Sequence, residues 1–323
     1  MNIVIAGLGA LGTTFATLLK KDGHRVFALT KEKYLSALAD RKVSISGIWG
    51  NHEAVLDAIY ADISELQGRE IDLIILTVKS FDTENAVNMI APLVGDRTIV
   101  VSAQNGYGNY ETVARIAGKE HALLARIIFG ARTVLPGNSE VTVIADSVRI
   151  GQPDGAIAEE VIKRIAAEIN KAGVPTAYAE DVNEILWDKI LYNCALNPLG
   201  ALLECNYGRL ADNKETIEVM NALIREIFRV AAAHSIRLHW ANAEEYIDYF
   251  YRKLVPPTKG HYPSMYHDLK AGKRLEIDAL NGSIVELAAE KNIIVPVNET
   301  IARLIRAKEA NVSWDLSRSL RGA

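Results

Sequence analysis

Three polar residues stand four apart in an otherwise apolar stretch: Lys189, Asn193 and Asn197, in WDKILYNCALNP. On a helix that spacing puts all three on one face, drifting by about 40° per step. The neighbours Ile190, Leu191, Ala195 and Leu196 imply packing on most other sides. A lysine and two amides inside such a helix are costly unless their groups find partners, and a ligand is one such partner. Other partners stay open: Lys189 paired at the surface with Asp188 or Glu184, Asn193 in a buried network, Asn197 at a helix end ahead of Pro198. Asn206, beyond the helix, adds a fourth group. A second polar stretch runs from His261 to Asp278. In it Ser264 follows Pro263 and can cap a short helix. Glu276 reads as an acid in the first turn of a helix running on through Asn281-Gly282, a favourable place in itself. His261 and His267, six apart, make no metal spacing. An ammonium can stabilise a developing negative charge and give up a proton. Amides and a hydroxyl can hold an anion without adding fixed charge.

The elements that must position such groups begin at the N-terminus. MNIVIAGLGALGTTFATLLKKDGHRVFALT reads as strand, tight turn, helix, strand. Gly7, Gly9 and Gly12 follow the first strand at the spacing G-x-G-x-x-G. Gly7 allows the tight turn, Gly9 lets backbone approach a pyrophosphate, and Gly12 lets the helix pack close to the sheet. The phosphates then sit on the unpaired amides of the helix start, which Leu8, Ala10 and Leu11 complete. A glycine turn used only for packing explains Gly12 and Gly7 but leaves Gly9 without a task. Thr30 and Lys31 end the second strand. Asp or Glu there suits a ribose 2'-hydroxyl, whereas a basic residue suits a 2'-phosphate, so Lys31 favours NADP(H) and Glu32 speaks against it. Lys79, after the apolar run IDLIILTV, and Asn105, in the loop Gln104-Asn105-Gly106-Tyr107-Gly108, fall at strand ends that face a cofactor in this arrangement. A solvent-facing lysine and a turn asparagine are the alternatives.

The chain has 323 residues, 49% hydrophobic and 24% charged, which suits two packed domains. No run of about eighteen apolar residues occurs, so no membrane span is expected. The N-terminal apolar stretch belongs to a strand and not to a signal peptide. Cys194 and Cys205 make neither a disulfide framework nor a metal signature, and a cytoplasmic setting is expected. A net charge of -4, with no basic tail, argues against nucleic acid as a partner.

Further strands are predicted at 43–48, 54–61, 71–78, 98–102, 122–134, 141–144, 148–150 and 174–178, with helices at 83–91, up to 116 and at 159–170. After Asp181 helical periodicity takes over. It predicts helices at 182–195, 196–204, 215–235, 242–254, 274–291 and 297–306, with 316–323 loose. The fold class expected is therefore α/β: a Rossmann-type dinucleotide-binding domain over 1–179, then an all-helical domain over 180–323 that binds substrate. A helical half with this much apolar surface can form a homodimer as well as a monomer.

Taken together, the turn G7-L-G9-A-L-G12, the Q104-N105-G106 loop, K189-x-x-x-N193-x-x-x-N197 with N206, and S264 with E276-I-D-x-x-N-G resemble the ketopantoate reductase (2-dehydropantoate 2-reductase) family over nearly the whole chain. The glycine turn is generic; the other three together are specific. The resemblance implies NADPH-dependent reduction of 2-dehydropantoate to (R)-pantoate, for pantothenate and coenzyme A synthesis. It implies Lys189 and Glu276 as catalytic residues, and Asn105, Asn193, Asn197, Asn206 and Ser264 around the substrate. Lys31 and Lys79 would hold the cofactor, with Asn105 and Glu276 also touching it. Lys31 stands where some relatives carry Arg, so a point charge replaces a fork donor. Two rival expectations are a reductase of another bulky 2-oxo acid on the same scaffold, and a dinucleotide-binding sensor without turnover.

Overall fold

The computed structural model describes the backbone of residues 1–321 and the side chains of 1–312. The chain divides into two compact units, Met1–Asn183 and Glu184–Ala323.

The first unit opens with β1 (Asn2–Ala6), α1 (Ala10–Lys21) and β2 (Arg25–Leu29), as the sequence predicts. It continues with β3 (Lys42–Gly47), β4 (His52–Val55), β5 (Ala58–Tyr60), β6 (Leu73–Leu76), α2 (Thr83–Ile90), β7 (Ile99–Ser102), α3 (Asn109–Ala117), β8 (Ala122–Arg126), β9 (Phe129–Leu135), β10 (Asn138–Ile144), β11 (Val148–Gly151), α4 (Glu159–Lys171) and β12 (Thr176–Tyr178). Eight strands form one sheet in the order β12-β11-β8-β7-β6-β1-β2-β5. Its central strands run parallel and are buried on both faces. Hence they read as unbroken apolar runs, with Ile3, Val4, Ile5 and Leu73 to Leu76 all fully buried.

Four strands form a second sheet, β4-β3-β10-β9. Two stretches predicted as single strands, 54–61 and 122–134, are each divided between the two sheets. The first crosses at Asp57, whose amide bonds Val26 O in the main sheet while Leu56 N bonds Arg41 O beside the small one. Helix α1 packs against both sheets, and every residue from Gly12 to Leu19 is buried. Its threonines therefore bond inward: Thr17 Oγ1 donates to Thr13 O at 2.8 Å, Thr14 Oγ1 to Ala10 O at 2.9 Å, and Thr14 also shares a 3.2 Å hydrogen bond with Ser139 of β10.

The second unit has no strand among its described residues. After α5 (Val182–Leu203), which the unit boundary cuts in its first turn, come α6 (Tyr207–Ala211), α7 (Lys214–Ala233), α8 (Ala243–Tyr249), α9 (Ser264–Lys270), α10 (Ser283–Glu290) and α11 (Pro296–Arg321). Helix α7 packs against α6, α8, α10 and α11. Trp187, Tyr246 and Phe250 are the largest fully buried side chains among its described residues. Three expectations are corrected. The helices expected at 182–195 and 196–204 are one helix passing through Pro198. The stretch expected as 274–291 begins with non-helical backbone up to Ile277, then a π turn, Asp278–Gly282, before α10; Glu276 thus precedes the helix and is not in its first turn. The stretch 242–254 ends in a second π turn, Phe250–Leu254. Of the tail 316–323, α11 takes in residues to Arg321, and 322–323 lie outside the described residues.

No helix of the described residues is long and apolar enough to cross a membrane. At the start of β2, Asp22, His24 and Glu168 bring their polar atoms within 4.8 Å of one another. The cluster is internally compensated: Lys171 Nζ lies 3.0 Å from Asp22 Oδ2, and the Met1 ammonium lies 3.2 Å from His24 Nδ1. Burial, then the Met1 charge, push the His24 imidazole below its ordinary value, against the opposing pull of Asp22 and Glu168. The folded state thus binds fewer protons at His24 than the unfolded chain. Stability from this residue is present above the ordinary imidazole value, about 6.5, and is lost as the pH falls through the lowered folded value. His24→Gln should therefore flatten the fall of Tm between about pH 7 and pH 5; an unchanged slope would show that acid sensitivity arises elsewhere.

Candidate active site

In the first unit the predicted cofactor residues leave the sheet at one level. Ala6 of β1 is in register with Leu29 of β2 and with Leu76 of β6, and Leu76 with Ser102 of β7. The loops carrying Gly7, Lys31, Lys79 and Asn105 thus emerge side by side from four adjacent parallel strands, about 5 Å apart. This is the carboxyl edge at which open α/β sheets bind ligands.

The three glycines answer to different constraints. Gly7 has φ +106°, and a Cβ there would stand 2.8 Å from Val78 N. A Cβ on Gly12 would stand 2.0 Å from Gly7 O and 2.6 Å from Thr77 Oγ1. Thr77, which sequence reasoning passed over, closes the turn by donating to Gly7 O at 2.5 Å. Gly9 is exposed, with φ -85° and ψ -162°, and a Cβ there would meet nothing within 4 Å. Neither backbone conformation nor protein packing requires glycine at 9; the glycine leaves the helix start open from outside, and the residues present fit a pyrophosphate there.

Lys31 is exposed, and its Nζ lies 3.1 Å from Asp82 Oδ2 just ahead of α2. The Asn105 loop is held from beneath by a chain of buried side chains. Ser102 Oγ donates to Gln104 Oε1 at 2.9 Å, Gln104 Nε2 to Thr83 Oγ1 at 2.6 Å, and Thr83 Oγ1 to Asn109 Oδ1 at 2.7 Å. Asn109 Nδ2 then donates to the Asn105 carbonyl at 2.9 Å. Gln104 stood out in the sequence; Thr83 and Asn109 did not. Lys79 and Asn105 are half-buried.

In the second unit α5 presents Lys189 and Asn193, both half-buried, and Asn197, 6% exposed. The two acids offered as surface partners for Lys189 each meet other groups. Asp188 lies 2.6 Å from His239 Nδ1 and accepts from Trp240 Nε1 at 3.2 Å, and Glu184 lies 3.0 Å from Arg237 Nε. Burial raises the Asp188 carboxyl above its usual value despite those hydrogen bonds. Asn197 Oδ1 accepts from Tyr207 OH at 2.6 Å. Asn206 is the N-cap of α6, its Oδ1 accepting from Arg209 N at 3.0 Å. Each amide oxygen thus accepts one hydrogen bond from the protein, which sets the direction in which its NH2 group donates. Ser264 is the first residue of α9; the cap position belongs to Pro263, so the expected capping role is not found. Its side chain is exposed, and Glu276 is half-buried.

A glycine turn at the carboxyl edge of a parallel sheet, followed in the chain by a helical unit carrying lysine, carboxylate and donor amides, defines a dinucleotide-binding reductase. Residues 3–155 match the family described as Ketopantoate reductase PanE/ApbA, and residues 181–309 match Ketopantoate reductase PanE/ApbA C terminal. The 2-dehydropantoate 2-reductase of Aquifex aeolicus (strain VF5) is 44% identical over 96% of this chain and 97% of that protein. The protein of the same name from Pyrococcus horikoshii is 30% identical over 96% and 98%. Among solved structures, a PanE/ApbA family ketopantoate reductase from Ralstonia eutropha JMP134 has a TM-score of 0.85 at 27% identity, covering 97% of this chain and 99% of that one. D-mandelate dehydrogenase with NADH and anilino(oxo)acetate has a TM-score of 0.86 at 25% identity, with the same coverage. The chain belongs to the ketopantoate reductase family.

Because Gly9 faces open space, Gly9→Ala should leave Tm within about 1 °C while weakening dinucleotide binding at least about tenfold, the loss of roughly 1.4 kcal/mol. Calorimetric titration with NADPH beside thermal melts checks this; unchanged affinity would remove the pyrophosphate from this turn.

Proposed function

We propose that this protein reduces 2-dehydropantoate to (R)-pantoate with NADPH, in the synthesis of pantothenate and coenzyme A. The observation that carries the reading is the donor set of the second unit: a lysine on the same helix face as two amides, with the amides of Asn197 and Asn206 oriented by protein hydrogen bonds to their oxygens. Such a set suits a 2-oxo acid, whose carboxylate and carbonyl offer acceptors only. The full-length similarity to proteins named 2-dehydropantoate 2-reductase supports that choice of acid.

When bound, the reduced nicotinamide supplies the hydride for the keto carbon. Lys189, as an ammonium, stabilises the negative charge growing on the carbonyl oxygen and delivers the proton that completes the alcohol. Glu276 orients that ammonium or the nascent hydroxyl. Asn193, Asn197, Asn206 and Ser264 hold the carboxylate and hydroxyl of the substrate. On the cofactor side Gly7, Leu8, Gly9, Ala10, Leu11 and Gly12 cradle the pyrophosphate, Lys79 and Asn105 complete its contacts, and Lys31 turns from Asp82 to a 2'-phosphate. The exposed ion pair of Lys31 costs little to exchange.

A second reading, reduction of another bulky 2-oxo acid, is favoured by the match to D-mandelate dehydrogenase, whose structure holds NADH. Steady-state rates with 2-dehydropantoate, 2-oxoisovalerate, oxaloacetate and pyruvate, each with NADPH and NADH, separate the two. The first reading expects 2-dehydropantoate with NADPH to exceed every other pair in kcat/KM. Lys189→Ala should lower kcat by at least about a hundredfold, the lower range for a positioned acid, with NADPH binding nearly unchanged. Normal turnover in that variant would sink the mechanism. Lys31→Ala should weaken NADPH far more than NADH; equal losses would take Lys31 off the 2'-phosphate.

A further inference from the structure

Helix α5 continues through Pro198, and that continuity leaves a gap in its ladder. Proline has no N–H, so the bond from residue 198 to the carbonyl of Cys194 cannot form. Cys194 is fully buried, so water cannot replace it cheaply. The missing donor arrives from another part of the unit: Asn281 Nδ2 lies 3.2 Å from Cys194 O. Asn281 is fully buried in the π turn Asp278–Gly282, five residues after Glu276. Cys194 in turn directly follows Asn193 and lies five residues after Lys189. One hydrogen bond therefore joins the backbone of the helix bearing Lys189, Asn193 and Asn197 to the turn that follows Glu276.

The other hydrogen of the same amide goes to Asn298 Oδ1 at 3.0 Å. Asn298, also fully buried, stands in the first turn of α11 and donates to Glu226 Oε2 at 2.8 Å and to Leu223 O at 3.3 Å, both on α7. Glu226 is 4% exposed and accepts the amides of Val297 and Asn298 at 3.0 and 2.9 Å. The chain Glu226–Asn298–Asn281–Cys194 O thus links α7, α11, the π turn and α5. The Glu276 segment is tied to α11 on either side as well: Leu275 N donates to Glu309 at 3.2 Å, and Asp278 accepts from Arg306 at 2.9 and 2.7 Å. Asn281 extends this frame to α5. Its own Oδ1 is buried with no partner among the described residues. An orphaned acceptor costs stability, and the amide offsets it through its two donors, without which Cys194 O and Asn298 Oδ1 would lose a partner.

We propose that Asn281 is a positioning residue of the reaction, locking the Glu276 segment to the Lys189 helix through the carbonyl that Pro198 frees. This rests on the catalytic roles proposed for Lys189 and Glu276. The lock acts on the relative placement of two reacting groups, so its loss appears in kcat far more than in cofactor binding, most of whose proposed contacts lie in the first unit.

A double-mutant cycle of Asn281→Leu and Pro198→Ala tests this, reading Tm, kcat, KM for 2-dehydropantoate and the NADPH dissociation constant. Asn281→Leu should lower kcat between about ten- and a hundredfold, the scale of a misplaced reacting group, with NADPH affinity within about twofold. In the Pro198→Ala background residue 198 regains an N–H for the Cys194 carbonyl. Adding Asn281→Leu there should cost less in Tm than in the parent chain, yet lower kcat by a similar factor. Recovery of kcat together with Tm would reduce Asn281 to a filler of a backbone gap and overturn the proposal, as would a parental kcat in Asn281→Leu alone. Asn281→Asp gives a second reading that does not depend on the leucine variants folding. An aspartate is isosteric, and burial raises its pKa; protonated, it regains one donor. Its kcat relative to the parent should rise as the pH falls from about 8 to 5, and a flat ratio would overturn the proposal. Normal turnover in Lys189→Ala or Glu276→Gln would instead bring down the mechanism on which the inference rests, whatever Asn281 does.

Discussion

The first unit depends on one close approach, that of α1 to the turn before it. A Cβ on Gly12 would stand 2.0 Å from the Gly7 carbonyl, so the helix lies where no other residue type permits it. From that approach follow the level of the glycine turn against the sheet, the Thr77 hydroxyl that closes the turn, and the space in which α1 meets a second sheet. Covered by both sheets, α1 has almost no solvent face. Of its buried threonines, Thr14 and Thr17 are tolerable because their hydroxyls return to helix carbonyls or meet Ser139. The helix start is thereby fixed while Gly9, at its tip, stays open.

In the second unit buried polar groups set the geometry in the same way. A carbonyl without its helical partner, two asparagines with no exposure and a buried glutamate would each be costly alone. Joined in sequence, they hold four elements together. The amides of the candidate substrate set show the same economy. Tyr207 and the Arg209 backbone each donate to the oxygens of Asn197 and Asn206, which fixes the orientation of both amides. Lys189 then stands as the cation of its helix face, between apolar neighbours that are almost wholly buried.

Several parts of the site could not be read from neighbouring residues. Thr83 and Asn109 are unremarkable in the sequence, 26 residues apart, and their role under the Asn105 loop exists only once α2 and α3 pack together. Asp82 faces Lys31 from a different βα connection. Glu276 has the composition of a first helical turn around it, but local preference lost to the bonds that Glu309 and Arg306 make on its two sides. Thr77 follows an apolar strand and carries no periodic signal, although the glycine turn leans on it.

What the sequence determined by itself was local and periodic: β1, α1 and β2 with their glycines, the alternation of strand and helix that makes a parallel sheet, the change to helical spacing after Asp181, and the shared face of Lys189, Asn193 and Asn197. These follow from steric and hydrophobic rules acting over a few residues. Tertiary structure alone decided which strands belong to which sheet, because a strand's pattern of apolar residues does not name its partner. It also decided that α5 survives Pro198. The proline signal is a missing donor, and whether a helix ends there depends on whether another donor can reach the carbonyl; here it comes from Asn281, 87 residues along the chain.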